Sequence, residues 1–268
     1  MIKLWSKRRS PLKSIIFEIT PLCNLRCRYC YNPWKRPEAE HPAIPSYANT
    51  KRTLKRLFKM ADINRITFTG GEPFLAERFA EIILYCRMKG KAIAIISNGN
   101  IASKGDLTTA HKLGVQLFEI PLHSDRPEPH DWMTGVQGSW AKAKASLEHI
   151  LEIKATPIAV IVLTKANLAE VDKTLGYLSQ MGIKQVMLNR FNIGGSGLID
   201  SEQILSSVDS LQDAYRTAND AARKYKLRVT SNVCTPICVL NPKDYPTIWF
   251  SACGCNPMRM PITIDTTG

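Results

Sequence analysis

The protein has 268 residues, a length typical of one large domain, or of one domain plus a small appendage. With 44% hydrophobic and 22% charged residues, its composition is that of an ordinary globular chain. No apolar segment follows the basic N-terminus, and the longest apolar run, Ile158 to Leu163, is too short to span a membrane. We therefore expect no signal peptide and a cytoplasmic protein. The net charge of +13 predicts attraction to something acidic.

Strand-like and helix-like segments alternate along the chain. The predicted strands are Ile15 to Thr20, Arg65 to Thr69, Lys91 to Ser97, Gln116 to Leu122, Pro157 to Leu163, Gln185 to Arg190 and a short one near Leu227 to Thr230. The predicted helices are Thr50 to Ala61, Phe74 to Met88, Ser103 to Leu113, Ser139 to Ile153, Leu168 to Met181 and Ser201 to Tyr225. Six strand–helix units in succession predict an α/β fold with a parallel sheet, either open and doubly wound or a partial barrel.

The pattern changes after about residue 226. Prolines and cysteines crowd the last part of the chain, and periodicity is weak there. We therefore predict two regions, a barrel-like domain over residues 1–226 and a short irregular cysteine-bearing extension over 227–268.

Polar and glycine-rich segments follow the first four predicted strands. They are Cys23 to Cys30, Gly70 to Pro73, Ser97 to Gly99 and His123 to Asp125. Ligands of parallel α/β folds bind at the carboxyl ends of the strands. These segments therefore predict an active site on that rim.

Three cysteines, Cys23, Cys27 and Cys30, lie on the loop after the first strand. In a reducing cytosol such cysteines are metal ligands or free thiols rather than disulfides. Three thiolates leave one metal position open, as a catalytic site requires, whereas a structural site has four ligands. Two alternatives are a zinc ion completed by a distant residue such as His41, and a redox pair formed by Cys27 and Cys30.

The spacing Cys-x3-Cys-x2-Cys, with Tyr29 before the last cysteine, resembles the signature of radical S-adenosylmethionine (SAM) enzymes. The resemblance implies a partial (βα)6 barrel in which Cys23, Cys27 and Cys30 hold three irons of a [4Fe–4S] cluster. SAM would bind the fourth iron, and Tyr29 would lie against its adenine. One electron from the cluster would then split SAM into methionine and a 5′-deoxyadenosyl radical that abstracts a substrate hydrogen.

Two further segments fit the same family. Gly70-Gly71-Glu72-Pro73 resembles the family motif whose backbone and acid bind the methionine amino group. Taken alone, it is also a plain turn before a helix. Ser97 and Asn98 correspond to residues that contact the SAM ribose, although Asn-Gly is by itself a turn pattern.

The segment from Ile120 to Trp140 resembles peptide- and protein-modifying members of this family. It departs from them at Pro121 and His123, where Ser and Asp are frequent. For His123 we expect packing or hydrogen bonding before a proton-donor role. The glycine loop from Arg190 to Gly197 also fits the family, and we assign it no catalytic role.

Four cysteines, Cys234, Cys238, Cys253 and Cys255, are enough to complete a second metal shell, either iron–sulfur or zinc. The segment from Cys255 to Gly268 resembles the opening of a SPASM or Twitch extension, with a short strand and an Asp-x-x-Gly turn. The resemblance implies an auxiliary iron–sulfur cluster. It also implies a hairpin cut at its turn, so we expect an incomplete chain.

The leading hypothesis is therefore a radical SAM enzyme that matures a peptide or protein. Expected partners are a substrate that includes an acidic segment and a reductant such as flavodoxin or ferredoxin; neither a membrane nor nucleic acid is the expected partner. Little sequence precedes the first strand, so substrate recognition is expected at the rim, through another protein or at two basic clusters. These clusters are Lys3, Lys7, Arg8, Arg9 and Lys13, and Lys51, Arg52, Lys55, Arg56 and Lys59. The alternatives are a radical SAM enzyme of small-molecule or cofactor biosynthesis and a zinc-bearing nucleic-acid-binding module.

Overall fold

Parallel strands build one sheet in the computed structural model, which describes residues 12–35, 38–251 and 262–268. Its strands are β1 (Ser14–Thr20), β2 (Arg65–Gly70), β3 (Ala92–Ile96), β4 (Leu117–Pro121), β5 (Thr156–Leu163), β6 (Gln185–Arg190), β7 (Arg228–Ser231), β8 (Ile248–Phe250) and β9 (Ile262–Ile264). Their order across the sheet is β8-β7-β6-β5-β4-β3-β2-β1-β9. The parallel α/β architecture predicted from the sequence is confirmed.

Helices connect the strands. They are α1 (Tyr47–Met60), α2 (Phe79–Met88), α3 (Lys104–Lys112), α4 (Pro127–Thr134), α5 (Ser139–Glu152), α6 (Val171–Gln180), α7 (Ser201–Ile204) and α8 (Val208–Lys224). Local sequence fixes several of their starts. Ser46 caps α1 by accepting the N–H of Asn49, and Ser103 and Asp106 form a reciprocal capping box on α3. No helix of the described residues is long and apolar enough to cross a membrane.

The sheet presents two different faces. Along β5, Ala159, Ile161 and Leu163 are buried against the helices, whereas Val160 and Val162 are only partly buried and line an internal cavity. This alternation follows from the two-residue period of a strand. One face of the sheet therefore forms the core, and the other forms the wall of the cavity.

Two predicted helices differ from the observed ones. The helix predicted from Phe74 begins at Phe79, because a short 3-10 turn over Pro73–Leu75 comes first and Arg78 adopts a left-handed conformation (φ 52°). The helix predicted over Ser201 to Tyr225 is split into α7 and α8. Leu205 is extended (ψ 120°), and Ser207 starts a new helix by capping it.

Three elements depart from the sequence-based expectations. The helix α4 and the strand β8 were not predicted. The short strand near Ile262 is present as β9, but it pairs in parallel with β1, where Ile15 faces Ile262. This pairing uses one edge of β9, and β9 is the last strand on this side of the sheet among the described residues.

The predicted division of the chain at residue 226 stays a prediction. In the structure, β7 and β8 extend the sheet beyond β6, and β9 extends it beyond β1. The strands that follow residue 226 therefore belong to the same sheet as those that precede it.

Tyr215 of α8 joins this helix to two strands. The side chain is fully buried; its hydroxyl donates to the carbonyl of Leu188 (3.1 Å) and lies 2.8 Å from the Ser231 hydroxyl. We expect Tyr215→Phe to lower the free energy of unfolding by about 1–3 kcal/mol, because it leaves buried polar groups without a partner. Denaturant unfolding measures this change.

The matched control is Tyr225→Phe. The Tyr225 hydroxyl donates to Asp172 (3.2 Å), whose side chain is exposed enough for water to replace the lost hydrogen bond. A smaller loss is expected for this variant. Equal losses for the two variants would contradict the role assigned to Tyr215.

Candidate active site

A cavity of about 340 Å³ opens at the carboxyl ends of the strands. The four segments predicted at the strand ends all contribute to its lining, the fourth through His123. Its walls include Cys23, Cys27, Tyr29, Cys30, Gly70, Gly71, Ser97 and Asn98. Glu72 and Pro73 are buried behind this wall and do not line the cavity.

Helix α4 holds the cysteine loop through backbone hydrogen bonds. Arg26 N–H donates to the carbonyl of Thr134 (3.0 Å), and Arg28 N–H donates to that of Met133 (2.9 Å). These carbonyls belong to the last turn of α4 and have no partner within the helix. The helix ends at Gly135 (φ 68°), where a side chain would overlap the carbonyl of Arg26. An element that was not predicted therefore positions the cysteines.

The glycine loop after β6 supports the other end of the cysteine loop. Gly195 adopts a left-handed conformation (φ 49°), and a side chain there would overlap the carbonyls of Cys30 and Asn32. Gly197 N–H donates to the carbonyl of Cys30 (3.4 Å). This loop, to which the sequence analysis gave no catalytic role, is a backbone support for the third cysteine.

The three thiols are free and partly buried. The pKa of Cys27 is raised to about 12, mainly by burial and to a smaller extent by the neighbouring Cys30 thiol. Burial also raises the pKa of Cys30. Thiolates at these positions therefore need a positively charged partner, which bound metal supplies.

A single zinc ion fits these residues poorly. Within residues 12–35, 38–251 and 262–268, no three Cys, His, Asp or Glu side chains converge as one ion would require, and His41 is exposed. A [4Fe–4S] cluster spreads its thiolate ligands over different irons. Three cysteines that line one cavity without meeting at a point fit such a cluster.

Gly71 allows the end of β2 to lie against the start of the cysteine loop. Its N–H donates to the carbonyl of Thr20 (2.7 Å), and the N–H of Glu72 donates to that of Leu22 (2.6 Å). A Cβ atom on Gly71 would overlap the Leu22 carbonyl. Only glycine therefore permits this approach of two backbones next to Cys23.

The Glu72 carboxylate is used within the protein. It is fully buried and accepts hydrogen bonds from the Phe74 N–H (3.2 Å), the Ser97 hydroxyl (2.9 Å) and the Asn98 N–H (2.7 Å). Burial raises its pKa to about 7, although these three hydrogen bonds favour the ionised form. Glu72 thus joins the ends of β2 and β3, and its expected contact with an amino group stays a prediction.

Asn98 connects the end of β3 to the cysteine loop. Its side-chain amide donates to Asn24 Oδ1 (2.8 Å) and lies 3.8 Å from the sulfur of Cys23. Asn98 is therefore close to the first cysteine as well as to the cavity.

Tyr29 of the cysteine loop contacts His123. The Tyr29 hydroxyl lies 2.7 Å from His123 Nε2, and the two rings meet edge to face with centroids 4.7 Å apart. His123 Nδ1 accepts the N–H of Val162 (3.3 Å), so in neutral His123 the proton is on Nε2 and is donated to Tyr29. Burial lowers the pKa of His123, which keeps the ring neutral. The hydrogen-bonding role expected for His123 is confirmed.

Several cavity residues were not predicted from the sequence, among them Lys35, Glu119 and Asn189, and Arg190, named only as part of the glycine loop after β6, also lines the cavity. Glu119 had a recognisable pattern, since it is a charged residue in the middle of a predicted apolar strand. Arg190 fixes the loop after β7 by donating to the Cys234 carbonyl (2.7 Å) and to Thr235 Oγ1 (3.0 Å).

The predicted second group of cysteines is described only in part. Cys234 and Cys238 lie exposed on the loop after β7, and Cys253 and Cys255 fall outside the described residues. Cys86 is buried in α2, as expected for a small hydrophobic side chain.

The model of the Radical SAM superfamily matches residues 17–178. This range contains the cysteine loop, the Gly-Gly-Glu-Pro segment and the end of β3.

Two curated relatives illustrate the range of similarity. The PqqA peptide cyclase of Gluconobacter oxydans is 22% identical over 221 residues, which cover 82% of this chain and 61% of that protein. The GTP 3′,8-cyclase of Clostridium botulinum is 26% identical over 220 residues, which cover 78% of this chain and 68% of that protein. The chain thus spans about 60% of the length of the peptide cyclases it matches.

Among solved structures, the fold is similar to that of Streptococcus suis SuiB. In its complex with S-adenosylmethionine, the TM-score is 0.67 at 13% identity, over 96% of this chain and 58% of SuiB. In its complex with the precursor peptide SuiA, the TM-score is 0.68 at 14% identity, over 96% of this chain and 57% of SuiB.

The close approach at Gly71 is testable. We expect Gly71→Ala to displace the Leu22 carbonyl and the adjacent Cys23, at a cost of about 1–3 kcal/mol from overpacking. Iron bound after anaerobic reconstitution should fall well below the wild-type level. Gly105→Ala is the control, because a Cβ there lies 3.5 Å from the nearest atom, and its iron content should match the wild type.

The buried carboxylate of Glu72 gives a second prediction. Glu72→Gln replaces one accepting oxygen with an NH2 group that faces a backbone or hydroxyl donor, so we expect a loss of about 1–3 kcal/mol at pH 8. Denaturant unfolding measures this change. Glu77→Gln should cost less, because Glu77 accepts one exposed hydrogen bond, from Tyr47. If Glu72→Gln were as stable as the wild type, the assigned hydrogen bonds would not be those of the native state.

Proposed function

The chain belongs to the radical SAM superfamily, and we propose that it is an enzyme that cleaves SAM reductively and abstracts hydrogen from a peptide or protein. One observation carries this proposal. A single cavity is lined by residues from the ends of three consecutive strands. They are the three cysteines after β1, Gly70 and Gly71 at the end of β2, and Ser97 and Asn98 after β3.

Cys23, Cys27 and Cys30 would hold the cluster. Backbone hydrogen bonds from the loop to α4 and from the glycine loop after β6 fix the loop before metal binds. When bound, a [4Fe–4S] cluster supplies the electron for reductive cleavage of SAM to methionine and a 5′-deoxyadenosyl radical.

The remaining cavity residues would hold SAM. Gly70 and Gly71 line the cavity, where they let the end of β2 lie against the backbone of Thr20 and Leu22, and Asn98 offers a polar side chain near Cys23. Tyr29, whose hydroxyl is occupied by His123, would present its ring to the adenine. Glu72 would act from behind the wall by orienting Ser97 and the backbone of Asn98.

The substrate class rests on similarity to proteins with peptide substrates. The PqqA peptide cyclase is named for a peptide, and SuiB has been solved with the precursor peptide SuiA. The exposed basic face of α1, formed by Arg52, Lys55, Arg56 and Lys59, would attract an acidic segment of such a peptide.

A small-molecule substrate is the second candidate. The GTP 3′,8-cyclase of Clostridium botulinum, which is named for a nucleotide, matches this chain at 26% identity over 68% of its own length. The positive charge of the chain suits a nucleotide as well as an acidic peptide.

The proposal also includes an auxiliary cluster, an electron donor and a cellular location. Cys234, Cys238, Cys253 and Cys255 would contribute ligands to an auxiliary iron–sulfur cluster. A flavodoxin or ferredoxin would deliver the electron, and the cytoplasm would provide the reducing environment that free thiols and such clusters need.

Loss of one cluster ligand tests the central step. We expect Cys27→Ala to abolish formation of 5′-deoxyadenosine from SAM with dithionite after anaerobic reconstitution, because two thiolates would remain where three are needed. The control is Cys86→Ala, which removes a buried thiol outside the cavity and should retain activity. A Cys27→Ala protein that still cleaves SAM, or a wild-type protein that binds zinc and no iron, would overturn the proposal.

The substrate class is tested by hydrogen transfer. A perdeuterated acidic precursor peptide and deuterated GTP are supplied separately to the reduced holoenzyme, and deuterium in 5′-deoxyadenosine is measured by mass spectrometry. Transfer from the peptide supports the first candidate, and transfer from GTP alone supports the second.

A further inference from the structure

Glu119 lies on the inner face of β4. Its neighbours along the strand, Phe118 and Ile120, are fully buried on the helix side. Glu119 and Pro121 point to the opposite side and line the cavity that contains the three cysteines. Among the described residues that line this cavity, Glu119 carries the one carboxyl group.

This carboxyl group has no hydrogen-bond or ion-pair partner in the described part of the chain. The other buried acids differ from it in this respect. Glu72 accepts three hydrogen bonds, and Glu18 accepts one from the Tyr31 hydroxyl (3.3 Å). Burial alone raises the pKa of Glu119 to about 7. Partial burial of a carboxylate without a partner is unfavourable, and a positively charged ligand would offset that cost.

The nearby cations do not neutralise Glu119. Lys35 and Arg190 line the same cavity, but neither pairs with it within the described ranges. Arg190 is committed to the carbonyls of Phe191 and Cys234 and to the Thr235 hydroxyl. In the sheet, Glu119 pairs with two apolar residues, Ile96 of β3 and Ile158 of β5. The carboxylate is therefore available to a positively charged group of a ligand that enters the cavity.

We propose that Glu119 binds a positively charged group of a molecule that enters this cavity. Two molecules of the proposed reaction can supply one, so the inference rests on the proposed function. One is SAM, through its sulfonium. The other is the substrate, through an ammonium or guanidinium group, which would define it as a molecule with a basic side chain or a free amine at the reacting segment.

The test compares the reconstituted wild-type holoenzyme with Glu119→Gln, which keeps the shape and removes the charge. Glu128→Gln, which removes an exposed carboxylate of α4, is the control. The melting temperature without ligand reports folding. Glu119→Gln should be at least as stable as the wild type at pH 8, because it removes an ionised buried group without a partner.

The first arm measures dissociation constants for SAM and for S-adenosylhomocysteine, which lacks the sulfonium charge. If Glu119 binds the sulfonium, the preference of the wild type for SAM falls about tenfold or more in Glu119→Gln. Glu128→Gln keeps the preference.

The second arm adds pentylammonium or pentylguanidinium to the SAM-bound holoenzyme, with pentanol as the neutral comparison. If Glu119 binds a substrate cation, the charged probes raise the melting temperature of the wild type more than pentanol does. This difference is lost in Glu119→Gln and kept in Glu128→Gln.

A positive result in either arm supports the proposal and identifies the source of the charge. Two results overturn it. In one, Glu119→Gln behaves as the wild type in both arms; in the other, it weakens charged and neutral ligands equally, which would show that the carboxyl group recognises hydrogen-bond donors rather than charge. Neither arm requires turnover, so failure of SAM cleavage by the wild type would overturn the proposed function separately.

Discussion

The contact between Gly71 and the Leu22 carbonyl is the constraint on which the candidate site depends. The cysteine loop has no helix or strand of its own over Cys23 to Cys30, so its backbone groups must find partners in neighbouring segments. Gly71 and Glu72, directly after β2, supply partners at one end, the last turn of α4 in the middle and the glycine loop after β6 at the other end. Three separate parts of the chain thus define the positions of three sulfur atoms.

Local patterns predicted the architecture well, because they report on local physics. Hydrophobic periodicity located the six strand–helix units, and the cysteine spacing, the paired glycines and Ser97-Asn98 identified residues that line one cavity. Whether these residues hold the expected groups remains a prediction.

The rest of the site depends on contacts between distant residues, which periodicity does not report. Helix α4 is short and begins with Pro127-Glu-Pro129, a pattern that resembles a loop; it forms a helix because Pro127 stands at its start and Gly135 ends it. The use of Glu72 within the protein follows from bringing together the ends of β2 and β3. The pairing of β9 with β1 joins segments from opposite ends of the chain.

The two faces of the sheet separate stability from chemistry. Side chains such as Phe118 and Ile120 face the helices and form the core, whereas their neighbour Glu119 faces the cavity. A residue of the inner face can therefore change with little effect on the packing of the outer one. This arrangement explains how an apolar strand can carry a single carboxylate without losing its place in the fold.

The position of β9 has a consequence for the order in which the protein folds. β1 lies between β2 and β9 in the sheet. Ile15 of β1 pairs with Ile262 of β9, although the two residues are far apart along the chain. During synthesis, β1 can pair with β2 early, but its other edge stays open until residues 262–264 have left the ribosome. The closure of so long a loop is slow relative to local pairing. The strand that leads into the cysteine loop is therefore among the last to gain all its neighbours, and the loop has its full support only once residues 262–264 have paired with β1.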